Sequence, residues 1–496
     1  MSTLGEILCC VPVGQAVPPA VAAAQVSGVA YDSRKVRPGF LFFAFPGKYV
    51  DGGAFAAQAL ERGALAIVSE SPRPADFAGA WIQVEHGRRA LAVAARNFYG
   101  KPDERLAITG ITGTNGKTTT AYLLDSILRA AGHTTALAGT IEYRLAGKAT
   151  TAVNTTPESP ELFRLFAELR AAGGSHATME VSSHALALGR VYGMRFHTAV
   201  FTNLTRDHLD FHQTMEEYFA AKRLLFEGAG APPPPFAVIN HDDAFGRRIQ
   251  AAPGAEQLSY GIGEGAAARA CRIRSGFDGL HFEVALGKER FPLISPLPGR
   301  MNVYNILAAW CAGRTMGIPP ELLASGIAAC RAVPGRFERV DEGQPFLVVV
   351  DYAHTDDALR NVIAVARGLE PKRVITLFGC GGDRDRVKRP MMGEAAAELS
   401  DFVVLTSDNP RSEDPLAIIN DALQGLWRHD TPHVEEPDRE KAIRIALSKA
   451  EPGDIVILAG KGHETYQILK DRTIPLDDRE VARRVLRGFG YGAVKE

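Results

Sequence analysis

Along this chain apolar residues gather in short runs, each ending in a polar or glycine-rich cluster, with longer stretches of helical spacing between them. Runs at 40–45 and 64–68 flank a helix-like stretch at 54–62, which predicts a small α/β unit. A helical stretch at 88–98 leads into Tyr99-Gly100-Lys101-Pro102, a turn sequence suited to a domain break. Beyond it, 105–109 reads as a buried strand, followed by a glycine-rich turn and an amphipathic helix at 118–131. Two more strands, 177–181 and 198–202, run into Ser182-Ser183-His184 and into the segment from Asn203 to His208. Open parallel sheets bind ligands beyond the carboxyl ends of their strands, so these three clusters predict one shared site. The proline run 232–235 reads as a stiff surface connection.

A second break falls at Val333-Pro334-Gly335-Arg336, after which a fresh alternation begins. Apolar runs at 346–350, 374–378, 402–405 and 455–458 are separated by helix-like stretches and predict another doubly wound sheet. They end in Asp351-Tyr352-Ala353-His354, Gly381-Gly382-Asp383-Arg384, Asp408-Asn409-Pro410-Arg411 and Gly460-Lys461-Gly462-His463-Glu464, where a second ligand is expected. The pattern therefore predicts an α/β protein of three domains, 1–101, 102–335 and 336–496. The central one is a P-loop mononucleotide-binding parallel sheet and the C-terminal one a Rossmann-like doubly wound sheet. A length of 496 residues, at about 150 per domain, agrees.

Charge narrows the partners. Lys and Arg total 56 against 57 Asp and Glu, so no overall positive field is available to hold a nucleic-acid backbone. Cysteines 9, 10, 271, 311, 330 and 380 form no CxxC pair and read as reduced thiols of a cytoplasmic protein. The small apolar stretch 11–30 follows Glu6 rather than a basic segment and is interrupted by Gln15 and Gln25, so a signal peptide is not expected. No uninterrupted apolar run reaches the ~18 residues of a membrane span. A monomer without membrane or nucleic-acid partners is the expectation.

The strongest chemical signal is Gly110-Ile111-Thr112-Gly113-Thr114-Asn115-Gly116-Lys117-Thr118-Thr119. Backbone N–H groups of such a loop wrap a phosphate, Lys117 can neutralise it, and a threonine hydroxyl at the helix start can ligate Mg²⁺. The spacing is a shorter variant of the usual phosphate loop, because Ile111 stands where its first glycine would be. Glu180 lies inside an apolar strand and needs either Mg²⁺ beside the loop or a structural Arg or Lys partner. His208 reads as a further ligand or as a solvated turn residue. Lys222 falls on the apolar stripe formed by Met215, Tyr218, Phe219, Leu225 and Phe226, where a leucine would be expected. Such a lysine snorkels to the surface, or else its amine is modified or matched in a site.

These motifs, together with Asp32-Ser33-Arg34, Asn154-Thr155-Thr156, Gly299-Arg300-Met301-Asn302 and Pro334-Gly335-Arg336, resemble the Mur ligases of peptidoglycan synthesis over essentially the whole length. The resemblance implies ATP-dependent addition of meso-diaminopimelate to the D-glutamate γ-carboxylate of UDP-N-acetylmuramoyl-L-Ala-D-Glu through an acyl phosphate. It implies ATP contacts at Gly113, Thr114, Asn115, Gly116, Lys117, Thr118, Thr119, Asn302, Arg336 and Asp351. It assigns the UDP pocket of the first domain to Ser33, Asp51 and Gly52, and the muramoyl-dipeptide to Asn154, Thr155, Thr156, Ser182 and Arg190. Diaminopimelate falls to Arg384, Asp408, Asn409, Pro410, Arg411, Gly460 and Glu464. Catalysis falls to Lys117, His208 and Lys222. Thr118 and Glu180 would hold one Mg²⁺, and His208 and a CO₂-carbamylated Lys222 a second.

Two positions depart from the family pattern. Leu188 replaces a glutamine, and Asp356 replaces the proline after Asp351-Tyr352-Ala353-His354-Thr355, where a helix start accepts either residue. Two readings compete with diaminopimelate addition. One is another amide ligase, such as a folylpolyglutamate synthase or a lysine-adding relative; the other is a nucleotide-regulated binding switch.

Overall fold

The computed structural model describes residues 2–47, 50–276 and 279–492. Three sheets organise them in chain order. The first is four-stranded and parallel, built from Gly28–Ala30, Phe40–Ala44, Ala66–Ser69 and Trp81–Gln83. Its buried face packs on the amphipathic helix Gly87–Phe98, whose Ala90, Leu91, Ala94 and Ala95 are inside.

The central sheet has eleven strands and is mixed rather than purely parallel. Its parallel heart runs Thr135–Ala138, His176–Glu180, Ala107–Thr112, Thr198–Phe201, Phe236–Asn240 and Glu256–Gly261. Antiparallel flanks extend it on both sides: Glu142–Leu145 with Lys148–Thr151, and the ribbon Ala268–Gly276, Gly279–Leu286 and Glu289–Ser295. The cause is local. Ala146 and Gly147 both have positive φ, the geometry of a two-residue hairpin turn that reverses the chain without a crossover. The apolar spacing of these half-exposed strands is weaker than that of the buried ones, so they escaped the sequence reading. The strand expected at 105–109 runs instead over Ala107–Thr112. Gly110 therefore belongs to the sheet rather than to the phosphate loop, and a Cβ there would lie 2.8 Å from the Phe196 ring.

The C-terminal sheet has the order Glu338–Val340, Leu347–Asp351, Ile455–Ala459, Val374–Cys380, Phe402–Ser407, His433–Glu436, parallel except for its first edge. Fully buried Val349, Ile457 and Phe378 on one face, and Val350, Leu458 and Leu377 on the other, explain the continuous apolar runs. Helices cover both faces, and the loop at the carboxyl end of Leu347–Asp351 faces the central sheet across a shared cavity. No described helix is long and apolar enough to cross a membrane.

Candidate active site

The strand Ala107–Thr112 delivers the chain to a loop clasped by its neighbour. Thr114 N–H donates to the Asn203 carbonyl at 2.8 Å and Asn115 N–H to Asn203 Oδ1 at 2.9 Å. Gly113 and Gly116 have φ of +150° and +84°, and a Cβ on Gly116 would lie 2.3 Å from Asn305 Oδ1. Glycine is required there by both conformation and space. The helix Lys117–Ala130 then begins with its N-terminus at the loop. The Lys117 ammonium donates to the Gly113 and Thr114 carbonyls at 2.9 and 2.8 Å, and burial pushes its pKa down.

Glu180 is buried at the end of its strand. Its carboxylate accepts from the Thr118 hydroxyl at 3.0 Å and from the Thr140 hydroxyl and N–H at 3.0 and 2.8 Å. All three donors are neutral, so the structural Arg or Lys partner weighed for Glu180 is not what holds it. A buried carboxylate beside a threonine hydroxyl is a hard oxygen donor pair, and its charge fits a divalent cation such as Mg²⁺.

Lys222 does not snorkel. It is 1% exposed on the helix Met215–Glu227, where its ammonium donates to the Gly113 carbonyl at 2.7 Å and lies 4.4 Å from the centre of the Tyr218 ring. Burial, then the neighbouring Lys117, drives its pKa well below the ordinary lysine range, toward the neutral amine that reacts with CO₂. His208 has φ of +54° and stands in the left-handed region just after the partly buried Asp207. Its imidazole is 42% exposed and 3.4 Å from that carboxylate, and the surrounding protein lowers its pKa.

The C-terminal sheet closes the site from above. Arg336 donates to the Thr118 hydroxyl at 3.1 Å and stacks over Tyr352. Asp351 accepts from the N–H groups of Phe337 and Ala353, and burial raises its pKa. Asp357, at the start of the helix Asp356–Arg367, accepts from Asn115 Nδ2 at 2.6 Å and ties the phosphate loop to this sheet. Between the two sheets lies a cavity of about 800 Å³, walled by residues 114–119, Glu180, His208 and Asn302 on one side and by Arg336, Asp351 and His354 on the other. The cluster ending the strand Leu347–Asp351 thus lines the cavity beside the phosphate loop, where the family resemblance put Asp351, and not with the second-ligand clusters among which the strand-end pattern had grouped it.

Of the expected peptide-binding positions, Thr155 bonds Thr140 and Thr156 bonds Ser182 and the Glu180 carbonyl. Arg190 donates to the Thr156 carbonyl and pairs with Glu158, which also pairs with Arg88 of the first domain. Asn154 is exposed and touches Tyr143 through its backbone. Leu188 ends the helix Ser183–Leu188 and offers no polar group. In the first domain Ser33 donates to Gln58, Asp51 caps the turn Gly52–Phe55, and a Cβ on Gly52 would lie 2.9 Å from Phe45 backbone.

The amino-acid cluster is organised by a residue the sequence reading passed over. Lys461, fully buried, donates to Asn409 Oδ1 at 2.9 Å and to Glu464 Oε2 at 2.7 Å, and Asn409 Nδ2 donates to the same Glu464 oxygen at 2.9 Å. Asn409 also receives the Ile468 N–H, so it braces Glu464 and is not free to meet a ligand head-on. Gly460 is needed because a Cβ would lie 2.6 Å from Asp408 Oδ2. Arg411, with φ of +53°, donates to the Gly382 carbonyl and pairs with neither Glu413 nor Asp414; Glu413 is taken by Arg389. Arg411 and the exposed Arg384 converge over Gly381. Thr140, Asp357 and Lys461 carried no periodic signal, because each acts from a turn or across a domain contact, and Asn305 acts from inside a helix onto a loop far away in sequence.

Three sheets, with a cavity between the phosphate loop and the strand ends of the C-terminal sheet, define a class: an α/β nucleotide-dependent enzyme. Residues 25–99 match the Mur ligase family catalytic domain, 111–313 the Mur ligase middle domain and 335–462 the Mur ligase glutamate ligase domain. The chain belongs to the Mur ligase family and is an ATP-dependent ligase. A relative from Solibacter usitatus, named UDP-N-acetylmuramoyl-L-alanyl-D-glutamate--2,6-diaminopimelate ligase, is 67% identical over 98% of this chain and 99% of its own length. One of the same name from Geobacillus thermodenitrificans is 47% identical over 92% and 94%. A solved structure of a protein so named is 32% identical, with a TM-score of 0.69, over 99% of this chain and 100% of that one. A Mycobacterium tuberculosis folylpolyglutamate synthase complexed with ADP shares the fold at 18% identity and a TM-score of 0.62, over 74% of this chain and 91% of its own.

Proposed function

We propose that this ligase adds meso-diaminopimelate to the D-glutamate γ-carboxylate of UDP-N-acetylmuramoyl-L-Ala-D-Glu, in the cytoplasmic synthesis of a peptidoglycan precursor. The observation that carries the reading is the cavity walled together by the phosphate loop, Glu180 and the C-terminal Arg336, with Arg384 and Arg411 meeting over Gly381 of the same C-terminal sheet's loops. The names of the relatives supply the substrates. In this reading the boundaries fall near 101 and 335. The first domain holds the uridine diphosphate at Ser33, Asp51 and Gly52, and Thr155, Thr156, Ser182 and Arg190 lead the peptide toward Thr118.

A γ-carboxylate oxygen takes the γ-phosphoryl group of ATP, and ADP leaves. The amino group of the second substrate then attacks the acyl carbon through a tetrahedral intermediate, phosphate departs, and the nitrogen loses a proton. No side chain of this site forms a covalent bond to substrate. Lys117 and Arg336 offer fixed positive charge where phosphate charge develops, so their work is positioning and electrostatics. Thr118 and Glu180 would hold one Mg²⁺, and His208 with carbamylated Lys222 a second; bound there, the ions would neutralise phosphate oxygens.

The test is phosphate release by the purified chain with ATP, the UDP-linked dipeptide and a panel of amino acids. Release should require both co-substrates and be fastest with meso-diaminopimelate, with a product mass equal to both joined minus water. Release that ignores the amino acid, or no joined product, would overturn the proposal.

A further inference from the structure

The loop that carries Arg384 is held from two directions. On one side Ser412 donates its hydroxyl to Asp383 Oδ1 at 2.6 Å, and Asp383 N–H donates to Glu413 Oε1 at 2.6 Å. These tie the loop to the two residues that follow the Asp408–Arg411 segment of its own domain. On the other side the tie crosses to the central domain. Arg206 pairs with Asp385 at 2.8 Å, with the two side chains 30% and 15% exposed, and its guanidinium also reaches Met391. The second oxygen of Asp385 accepts the Val387 N–H at 2.9 Å and fixes the turn into the helix Lys388–Leu399. Asp207, one residue after Arg206, feels the positive field of Lys388, three residues after Asp385, across the same gap.

Both ends of this pair abut chemistry. Thr205, before Arg206, donates its N–H to the Thr114 hydroxyl at 3.0 Å and its own hydroxyl to Asp357 at 3.3 Å. Arg384, before Asp385, makes no hydrogen bond or ion pair of its own among the described residues. Its pose is therefore set by the backbone on either side of it. An exposed surface ion pair contributes little to stability, but this one is partly buried, bridges two domains and adjoins a functional residue at each end.

We propose that Arg206 and Asp385 are a positioning pair through which the phosphate-loop side of the central domain sets the pose of the Arg384 clamp on the far carboxylate of the incoming diamino acid. The inference rests on the proposed function and deepens it. Breaking the pair releases the loop on one side only, so the amino acid should be held less well while the nucleotide site stays intact.

The experiment measures steady-state kinetics of Arg206→Met and Asp385→Asn with the full chain, against meso-diaminopimelate and against ATP. Each variant should raise KM for diaminopimelate roughly tenfold and leave KM for ATP within about twofold. The double variant should be no worse than either single, because both remove the same contact. In an Arg384→Ala background, Arg206→Met should add nothing, whereas a merely structural role would add its full effect. The exchanged pair, Arg206→Asp with Asp385→Arg, should recover part of the loss, and Arg206→Lys should fall between. Unchanged KM for diaminopimelate, a parallel rise for ATP, or additive effects with Arg384→Ala would each overturn the inference. Ligation by the unmutated chain tests the proposed function by itself, and the pair is read only from ratios to that rate.

Discussion

Lys222 was visible in the sequence because a charge on an apolar helical stripe breaks a regular pattern. The structure adds that it is buried against the Gly113 carbonyl, beside the phosphate loop. If its amine becomes an anionic ligand, Lys222→Ala should lower kcat by roughly two to three orders of magnitude, leave binding of the UDP-linked dipeptide intact, and regain some turnover with a small carboxylic acid. Full activity in the unrescued variant would sink the carbamate. Arg411 makes the second residue-scale prediction. It donates to a carbonyl and carries no carboxylate partner among the described residues, so its charge is available to a ligand. A planar guanidinium takes a carboxylate in a bidentate pair, and lysine has none at its far end. The unmutated enzyme should prefer meso-diaminopimelate over L-lysine by about 10⁴-fold in kcat/KM, and Arg411→Ala should erase most of that. Equal kcat/KM for the two amino acids before mutation would refute the assignment. Lys461 was part of an expected ligand cluster but received no role, for the opposite reason: between two glycines in a loop there is no period for a buried lysine to break.

Strands and helices with strong spacing were legible to within a few residues. The run 374–378 became Val374–Cys380, and 118–131 became Lys117–Ala130. The antiparallel flanks of the central sheet were not, because strands that bury at most one face need no continuous apolar run. Helix starts also hide a structural pair. Arg439 and Asp478 open the helices Arg439–Ser448 and Asp478–Gly488, and each is fully buried. They pair at 2.6 Å, and Arg439 also donates to the Ala459 carbonyl at the end of a site-bearing strand. Removing one partner leaves a buried charge, so Asp478→Ala should cost about 3–5 kcal/mol. In a thermal melt that is a fall on the order of 10 °C, and a shift within a degree or two would show the pair is not buried in solution.

The whole molecule works only if its sheets meet. The contacts from Asn115 to Asp357 and from Arg336 to Thr118 join the central and C-terminal parts, and their residues line the cavity. Ligand binding should favour this closed arrangement. Small-angle scattering should show a smaller radius of gyration with an ATP analogue plus the UDP-linked dipeptide than without them; identical dimensions would count against hinges near 101 and 335. By itself the sequence determined the α/β class, the phosphate loop, the strand-end clusters and the lysine out of place, since each is written in spacing along one segment. Only the tertiary structure decided that Glu180 is held by neutral donors, that Asp357 ties the phosphate loop to the C-terminal sheet, and that Lys461 braces Asn409 and Glu464. Those facts depend on which segments, tens to hundreds of residues apart, pack side by side, and packing leaves no period in the chain.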